Sequence, residues 1–324
     1  MSLAVTFVVA LLVSWAATKV FLMRAAAWGF VDVPNERSMH AAVRPRGGGV
    51  GVVAGVWAGL FAAECCGLPV DGRWVATLAA ASLLAAVGLF DDRRGLGIGW
   101  RLMAQLAVAV VSVLLWLPHL PLLPTMLLVS VGVGWYNAFN FMDGLDGFAV
   151  SEAMFLALGT LVSIGSGEDA SVASCVLAAG LGFFFWNRPP ARVFMGDCGS
   201  LFFGALTFSL LLGAMSRQGG AAVPAWLIMA SPFVADAGVT LLRRVLQGER
   251  FWLPHRSHAY QRLARRWGGH RPVLLGLWLL DGLLLVLLAL LRWRGVEPSA
   301  LLAVGVLGVL SAAAFLAGAG RTWE

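Results

Sequence analysis

The sequence predicts an all-α, polytopic membrane protein with about ten to eleven transmembrane helices and an active site on the cytoplasmic face. Three observations carry this. Of 324 residues, 60% are hydrophobic and only 12% are charged, whereas soluble domains average about 25% charged residues. Apolar runs close to the roughly 20 residues needed to cross a hydrocarbon core recur along the whole chain. The segments dense in His, Asp, Asn and Arg all fall in alternate connections between these runs. No stretch reads as a separate soluble domain, so 1–324 is one integral membrane domain.

Breaks at Pro, Gly and charge place spans near 3–23, 48–66, 74–90, 102–117, 122–138, 149–165, 170–186, 200–216, 223–242, 272–291 and 299–318. The first is expected to stay, because residues 1–18 lack the positive n-region of a cleaved signal and Lys19 comes late. Cys65, Cys66, Cys175 and Cys198 form no C-x-x-C pair, which argues against a zinc site or a disulfide framework.

With the N-terminus outside, the inner segments are 24–47, 91–101, 139–148, 187–199, 243–271 and the C-terminal tail. They hold 18 of the 23 Lys and Arg residues, and the outer connections hold only Arg73, Arg217, Arg292 and Arg294. The positive-inside rule selects this orientation. It also reads the net charge of +6 as topology and anionic lipid, with no nucleic-acid partner. Acidic residues took no part in the count, yet Asp91, Asp92, Asp143, Asp146 and Asp197 fall on the same face.

The inner segments carry the candidate chemistry. In "VDVPNERSMHAAVRPRGGGVGV", Asp32 opens a turn, Arg37 and His40 follow, and Arg44 and Arg46 precede Gly47, Gly48 and Gly49. Those glycines suit either a phosphate held by backbone amides or a tight helix contact. In "LFDDRRGLGIGWR", the adjacent Asp91 and Asp92 read as a snorkelling helix end or as like charges that need a cation or a proton; Arg101 follows.

In "WYNAFNFMDGLDGFA", Asn137, Asn140, Asp143 and Asp146 recur every three residues, a drifting stripe on a helix face. It reads as helix-packing glue or as a functional set. The segment "NRPPARVFMGDCGSLFFG" opens on Asn187 and holds Asp197 in a glycine turn, where it either caps helix amides or serves as a hard oxygen ligand. In the last segment Arg262, Arg265 and Arg266 belong to an interfacial helix. His255, Arg256 and His258 cluster after Pro254 in a form suited to a diphosphate. Together these groups are the inventory of phosphoryl transfer.

With those residues in view, the chain resembles the polyprenyl-phosphate N-acetylhexosamine-1-phosphate transferases. The likeness runs from about residue 30 to 263. It rests on D-x-P-N-x-R-x-x-H…P-R-x-G-G from Asp32 to Gly49, D-D at Asp91, N-x-x-N-x-x-D-G-x-D-G from Asn137 to Gly147, M-G-D-x-G-S from Met195 to Ser200, and H-R-x-H at His255.

The resemblance implies Mg2+, with Mn2+ as a substitute, on Asp197 and Asn140, and Asp91, Asp92 and Arg101 as catalytic residues. It implies substrate contacts from Asp32, Arg37, His40, Arg46, Asn137, Asp143, Asp146, Asn187, His255, Arg256 and His258. It further implies undecaprenyl phosphate and a UDP-N-acetylhexosamine as substrates, a bacterial inner-membrane location and a homodimer. Many relatives continue the last motif as H-x-H-H. Here Tyr260 and Gln261 stand instead, which resembles the subgroup that initiates O-antigen.

Two rival classes make different demands. A secondary transporter places ionisable groups near mid-membrane in paired repeats, a reading open to Asp236 and Asp281, but no repeat is visible. A non-catalytic membrane scaffold has no use for an intact acid set.

Overall fold

The computed structural model describes residues 2–32, 43–68, 70–164, 167–249 and 255–321. Arg37, His40 and Pro254 lie outside the described residues. The helices are α1 (Ser2–Arg24), α2 (Gly49–Cys65), α3 (Gly72–Arg94), α4 (Ile98–Trp116), α5 (Leu122–Phe141), α6 (Phe148–Ile164), α7 (Glu168–Asn187), α8 (Gly196–Gln218), α9 (Ala222–Leu246), α10 (Ala259–Arg266), α11 (His270–Trp293) and α12 (Ala300–Ala317). Between α1 and α2, strand β1 (Val31–Asp32) pairs antiparallel with β2 (Arg44–Pro45).

The chain is thus an all-α, multi-pass membrane protein. Among the described residues, eight segments are long and apolar enough to cross a bilayer. One of them, 196–246, is divided into α8 and α9 by Gly219 at φ 61° and a 3-10 turn. Helices α2 and α6 are shorter but apolar. Every expected span is a helix, and several helices continue beyond their apolar run. Helix α3 reaches Arg94 rather than 90, α5 reaches Phe141 rather than 138, α9 reaches Leu246 rather than 242, and α8 begins at Gly196 rather than 200. Hydropathy measures the chain held in hydrocarbon, whereas backbone hydrogen bonding carries a helix on into the interface. Asp91 and Asp92 therefore sit within the last turns of α3.

Helix α8 is the axis of the bundle. Its residues from Gly196 to Ala214 are all buried, and it packs against α2, α3, α4, α5, α6, α7 and α9. A helix apolar on every side belongs in an interior. At the periphery, α12 packs on α9 and α10 and turns Leu301 and Leu316 outward, 84% and 78% exposed, as a lipid-facing helix does. Small residues draw α1, α2 and α7 together: a Cβ on Gly55 would lie 2.6 Å from Ser14 Cβ and 3.1 Å from Ala179 Cβ. This alternation brings the α3–α4, α5–α6, α7–α8 and α9–α10 connections to one end, where the polar residues meet.

Candidate active site

Five charged side chains from four separate segments alternate in sign at that end. Asp92 lies 2.8 Å from Arg46 Nε, and Arg46 Nη2 lies 2.7 Å from Asp197 Oδ1. Asp197 Oδ2 lies 3.2 Å from Arg101 Nη2, and Arg101 Nη1 lies 2.9 Å from Asp91 Oδ2. The order is Asp92, Arg46, Asp197, Arg101, Asp91. None of the three carboxylate side chains is more than 9% exposed. Three buried acids against two guanidiniums leave a surplus of negative charge, which in a low dielectric favours a further cation or proton.

Local backbone explains how so many charges come together. Asp92 accepts hydrogen bonds from the amides of Asp197, at 3.0 Å, and Cys198, at 3.3 Å. The exposed amides at the start of α8 are thereby capped from α3, leaving the Asp197 carboxylate to the two arginines. Gly196 has φ 71°, and a Cβ there would come within 2.3 Å of Asp92 Oδ2. At Gly49 a Cβ would lie 2.3 Å from Gly199 Cα. The amides of Gly48 and Gly49 donate to the carbonyls of Phe194 and Met195. Of the two readings of Gly47–Gly49, close packing is the one the structure bears out, because two of those amides are already taken.

Arg46 is held by its backbone as well. Its N–H donates to Phe30 O, and it bridges Phe194 in parallel. Burial works against its charge, yet the carboxylates of Asp92 and Asp197 raise its pKa above the ordinary arginine value.

The three-residue stripe divides. Asn140 joins the ring: Nδ2 donates to Ser200 Oγ at 3.1 Å, and Oδ1 accepts a long 3.5 Å contact from Arg101. Asn137 does not join it. Its amide exchanges hydrogen bonds with Gln105 of α4 at 2.6 and 3.3 Å, the interhelical glue that was the alternative reading. Asp143 is half-buried and faces Arg46, Asp197 and Asp92; burial pushes its pKa well above the usual carboxylate range. Asp146 and Asn187 act as joints. Asp146 accepts from Ala191 N at 3.0 Å and meets His270 Nδ1 at 3.2 Å. Asn187 accepts from Gly147 N and donates to Val193 O. Asp32 is in β1, opposite Arg44.

The His255 loop is anchored by Asp236, whose sequence context allows either a transporter group or a structural residue near Arg243 and Arg244. Asp236 of α9 accepts from the amides of Ala259 and Tyr260, both at 2.9 Å, and meets His258 Nδ1 at 3.2 Å. It therefore caps α10 across 23 residues of chain, a separation that gives no sequence signal. His258 is 2% exposed beneath the loop. His255 is half-buried, with Nδ1 3.0 Å from Ser257 Oγ, and Arg256 lies beside it. Burial, with His258 and Arg244 nearby, draws the His255 pKa down to about 3. Tyr260 donates to Phe141 O at 2.8 Å and stacks on Phe148 and His258, fastening this loop to the Asn140–Asp146 turn. Tyr260 stands out in the sequence only as a departure from H-x-H-H, and the Gln105 amide gives no signal because it belongs to no acidic or basic cluster.

Among the described residues, no three His, Cys, Asp or Glu side chains form a ready cation cage. The hard oxygen donors at hand are Asp197, Asp91 and Asn140. A cavity of about 340 Å³ opens at the opposite end, among Thr160, Gln218, Trp226 and Arg292, and shares no residue with the ring.

Comparison with known proteins identifies the family. The model of glycosyl transferase family 4 matches residues 74–215, the stretch that supplies every ring residue except Arg46. A phospho-N-acetylmuramoyl-pentapeptide-transferase of Mycobacterium leprae is 30% identical over 303 residues, covering 74% of this chain and 82% of the relative. The chain belongs to the polyprenyl-phosphate N-acetylhexosamine-1-phosphate transferase family. Two further members are each 29% identical. One is a probable undecaprenyl-phosphate N-acetylglucosaminyl 1-phosphate transferase of Bacillus subtilis, with 86% of this chain and 82% of that protein aligned. The other is a decaprenyl-phosphate N-acetylglucosaminephosphotransferase of Mycobacterium tuberculosis, with 87% and 80% aligned. As a member of this family, the protein is a phospho-sugar transferase.

Proposed function

We propose that the protein transfers N-acetylglucosamine 1-phosphate, or a closely related N-acetylhexosamine 1-phosphate, from a UDP-sugar to undecaprenyl phosphate. The products are the polyprenyl diphosphate sugar and UMP. One observation carries this reading: three buried carboxylates and two guanidiniums alternate at one end of a membrane bundle, where a lipid phosphate and a soluble nucleotide can meet. Relatives named for undecaprenyl or decaprenyl phosphate and for N-acetylglucosamine phosphate transfer support the acceptor and the transferred group.

An oxygen of the lipid phosphate attacks the β-phosphorus. A P–O bond forms, the bond from that phosphorus to the bridging oxygen breaks, and UMP leaves with the electron pair. Asp91 holds the attacking phosphate and takes its proton where it carries one. Arg46 and Arg101 stabilise charge on the transferring phosphoryl oxygens. Asp143 and the His255–His258 loop hold the nucleotide and sugar.

Mg2+, with Mn2+ as a substitute, is the proposed cofactor. The surplus of buried acid and the all-oxygen donor set fit it, because Mg2+ takes one or two carboxylates and completes its shell with water and substrate phosphate. Asp197 and Asn140 would hold it, and bound there it would neutralise diphosphate charge.

The positive-inside count supports a cytoplasmic site and an outside N-terminus in a bacterial inner membrane. The Tyr260–Gln261 departure supports O-antigen initiation as the use of the product. The ring side chains all come from one chain, so a homodimer, which crosslinking in native membranes would detect, is not needed for chemistry.

The test is UMP release by purified protein given undecaprenyl phosphate and a panel of UDP-N-acetylhexosamines, with EDTA and then Mg2+ added. Release that stops with chelator and returns with Mg2+ is expected. Solute flux in vesicles without UMP from any donor would establish the transporter instead.

A further inference from the structure

Helices α6 and α11 run side by side in parallel and are joined by polar contacts at successive levels. At the site end, Asp146, just before α6, meets His270 at 3.2 Å. Next, Trp278 Nε1 donates to Ser151 Oγ at 2.8 Å. At the far end Arg292 donates to Ser163 O. Between these levels Glu152 and Asp281 face each other within hydrogen-bond reach. Both are 0% exposed, and Asp281 is at the middle of the 24-residue α11.

This level differs from the others because it contains no donor. None of the four carboxyl oxygens receives a hydrogen bond from a described N–H or O–H group. The donors of the preceding level are spent: Trp278 on Ser151, and Ser151 on Gly147 O at 2.6 Å. Charged residues of the packed elements have other partners. Asp197 has Arg46 and Arg101, Asp236 has His258, Arg217 has Asp169, and Arg244 has Glu249. Arg243 donates to Ala319 O and Arg262 to Arg321 O. Glu168 lies near Arg217, and Arg265, Arg266 and Arg271 are exposed. Only the two carboxyls bear on each other.

Two facing anions with no cation, inside a membrane bundle, are excluded by desolvation and repulsion together. An O–H on one acid supplies the missing donor for the other. We propose that Glu152 and Asp281 form a proton-binding site that holds both as neutral acids at neutral pH. The resulting hydrogen bond joins α6 to α11 beneath the Asp143–Asp146 turn. The ligand is the proton, taken from water as the helices pack. A monovalent metal ion is the competing occupant, which the choice of salt in the test distinguishes.

The test is thermal unfolding of the purified full-length protein between about pH 7 and about pH 10, in sodium chloride and in choline chloride. The folded pair binds more protons than the unfolded chain, so it adds stability that is lost as pH rises. The Tm of the wild type should fall with pH equally in both salts. The double variant Glu152→Gln/Asp281→Asn, which has no proton to lose there, should fall less. At neutral pH the infrared spectrum of the wild type should show the C=O stretch of a protonated carboxyl, reduced in the variant. Protection of the wild type by sodium but not choline would overturn the proposal in favour of a cation site. An unchanged pH slope or an unchanged carboxyl band in the variant would also overturn it. If the double variant does not fold, the single variants Glu152→Gln and Asp281→Asn carry the same comparison of pH slope and carboxyl band, and wild-type values in both would overturn the proposal.

Discussion

Helices α3 and α8 carry an ionic cluster at each end, and the two clusters have opposite designs. At the far end Asp169 is 1% exposed and is answered by Arg217 at 2.7 Å and the Trp74 indole N–H at 3.0 Å. Arg73 and Arg217 also lie over the Trp116 ring. One buried acid meets one guanidinium, and the remaining acids of that cluster, Asp71 and Glu168, keep 22% and 30% of their side chains in contact with solvent. At the site end three buried acids share two guanidiniums. The far cluster, balanced in its buried charge, closes a helix junction, whereas the site cluster, with three acids buried, keeps a capacity for something the fold does not provide. Acids crowded at the cost of stability are characteristic of functional sites.

The largest effect expected from this contrast is on turnover. Asp92→Asn relieves like charge at the ring while keeping one acceptor for the α8 amides, so UMP release should fall about 10²- to 10³-fold, as when a preorganised electrostatic group is lost. The Tm should hold or rise; a collapse in Tm would make Asp92 structural and erase the contrast.

Next in size is a stability effect. Arg46→Ala leaves Asp92 buried with amide donors alone. Breaking a buried pair costs about 3–5 kcal/mol, but the Arg46 side chain is 38% exposed. About 2 kcal/mol, read as a lower denaturant midpoint, is therefore expected. The equivalent change at the balanced end, Arg217→Ala, strips Asp169 of its cation and should cost about 1–3 kcal/mol. UMP release per folded molecule should stay at the wild-type value, and a selective loss of activity would show that the two ends are not independent.

The smallest effect concerns pH. His255 is drawn from its ordinary 6.5 down to about 3, so it stays neutral through the physiological range. It contributes stability that is present above pH 6.5 and is lost as the pH falls toward 3. The pH profile of UMP release between about pH 6 and 8 should keep its shape in His255→Gln. A lost inflection in that window would place a titrating imidazole at the site.

Much of this was legible in the sequence because hydrocarbon imposes a length on each apolar run. All eleven spans follow from it, and the acids stood out as expensive exceptions to it. The ends of the helices were less legible: Asp91 and Asp92 fall inside α3 because helical hydrogen bonding outlasts hydrophobicity. Spacing also could not separate Asn137 from Asn140. One turn of α5 decides which faces Gln105 and which faces Ser200, and that depends on where α4 and α8 pack. Asp236 is hardest to read, since its partners are the backbone amides of α10 and the imidazole of His258, 22 or more residues away.

The central claim is that the unbalanced end performs the transfer and the balanced end does not. Parallel preparations of Asp197→Asn and Asp169→Asn, each assayed for UMP release per folded molecule, test it directly. The account predicts a loss of about two orders of magnitude or more for Asp197→Asn and a rate near wild type for Asp169→Asn. Equal rates in the two variants would contradict it.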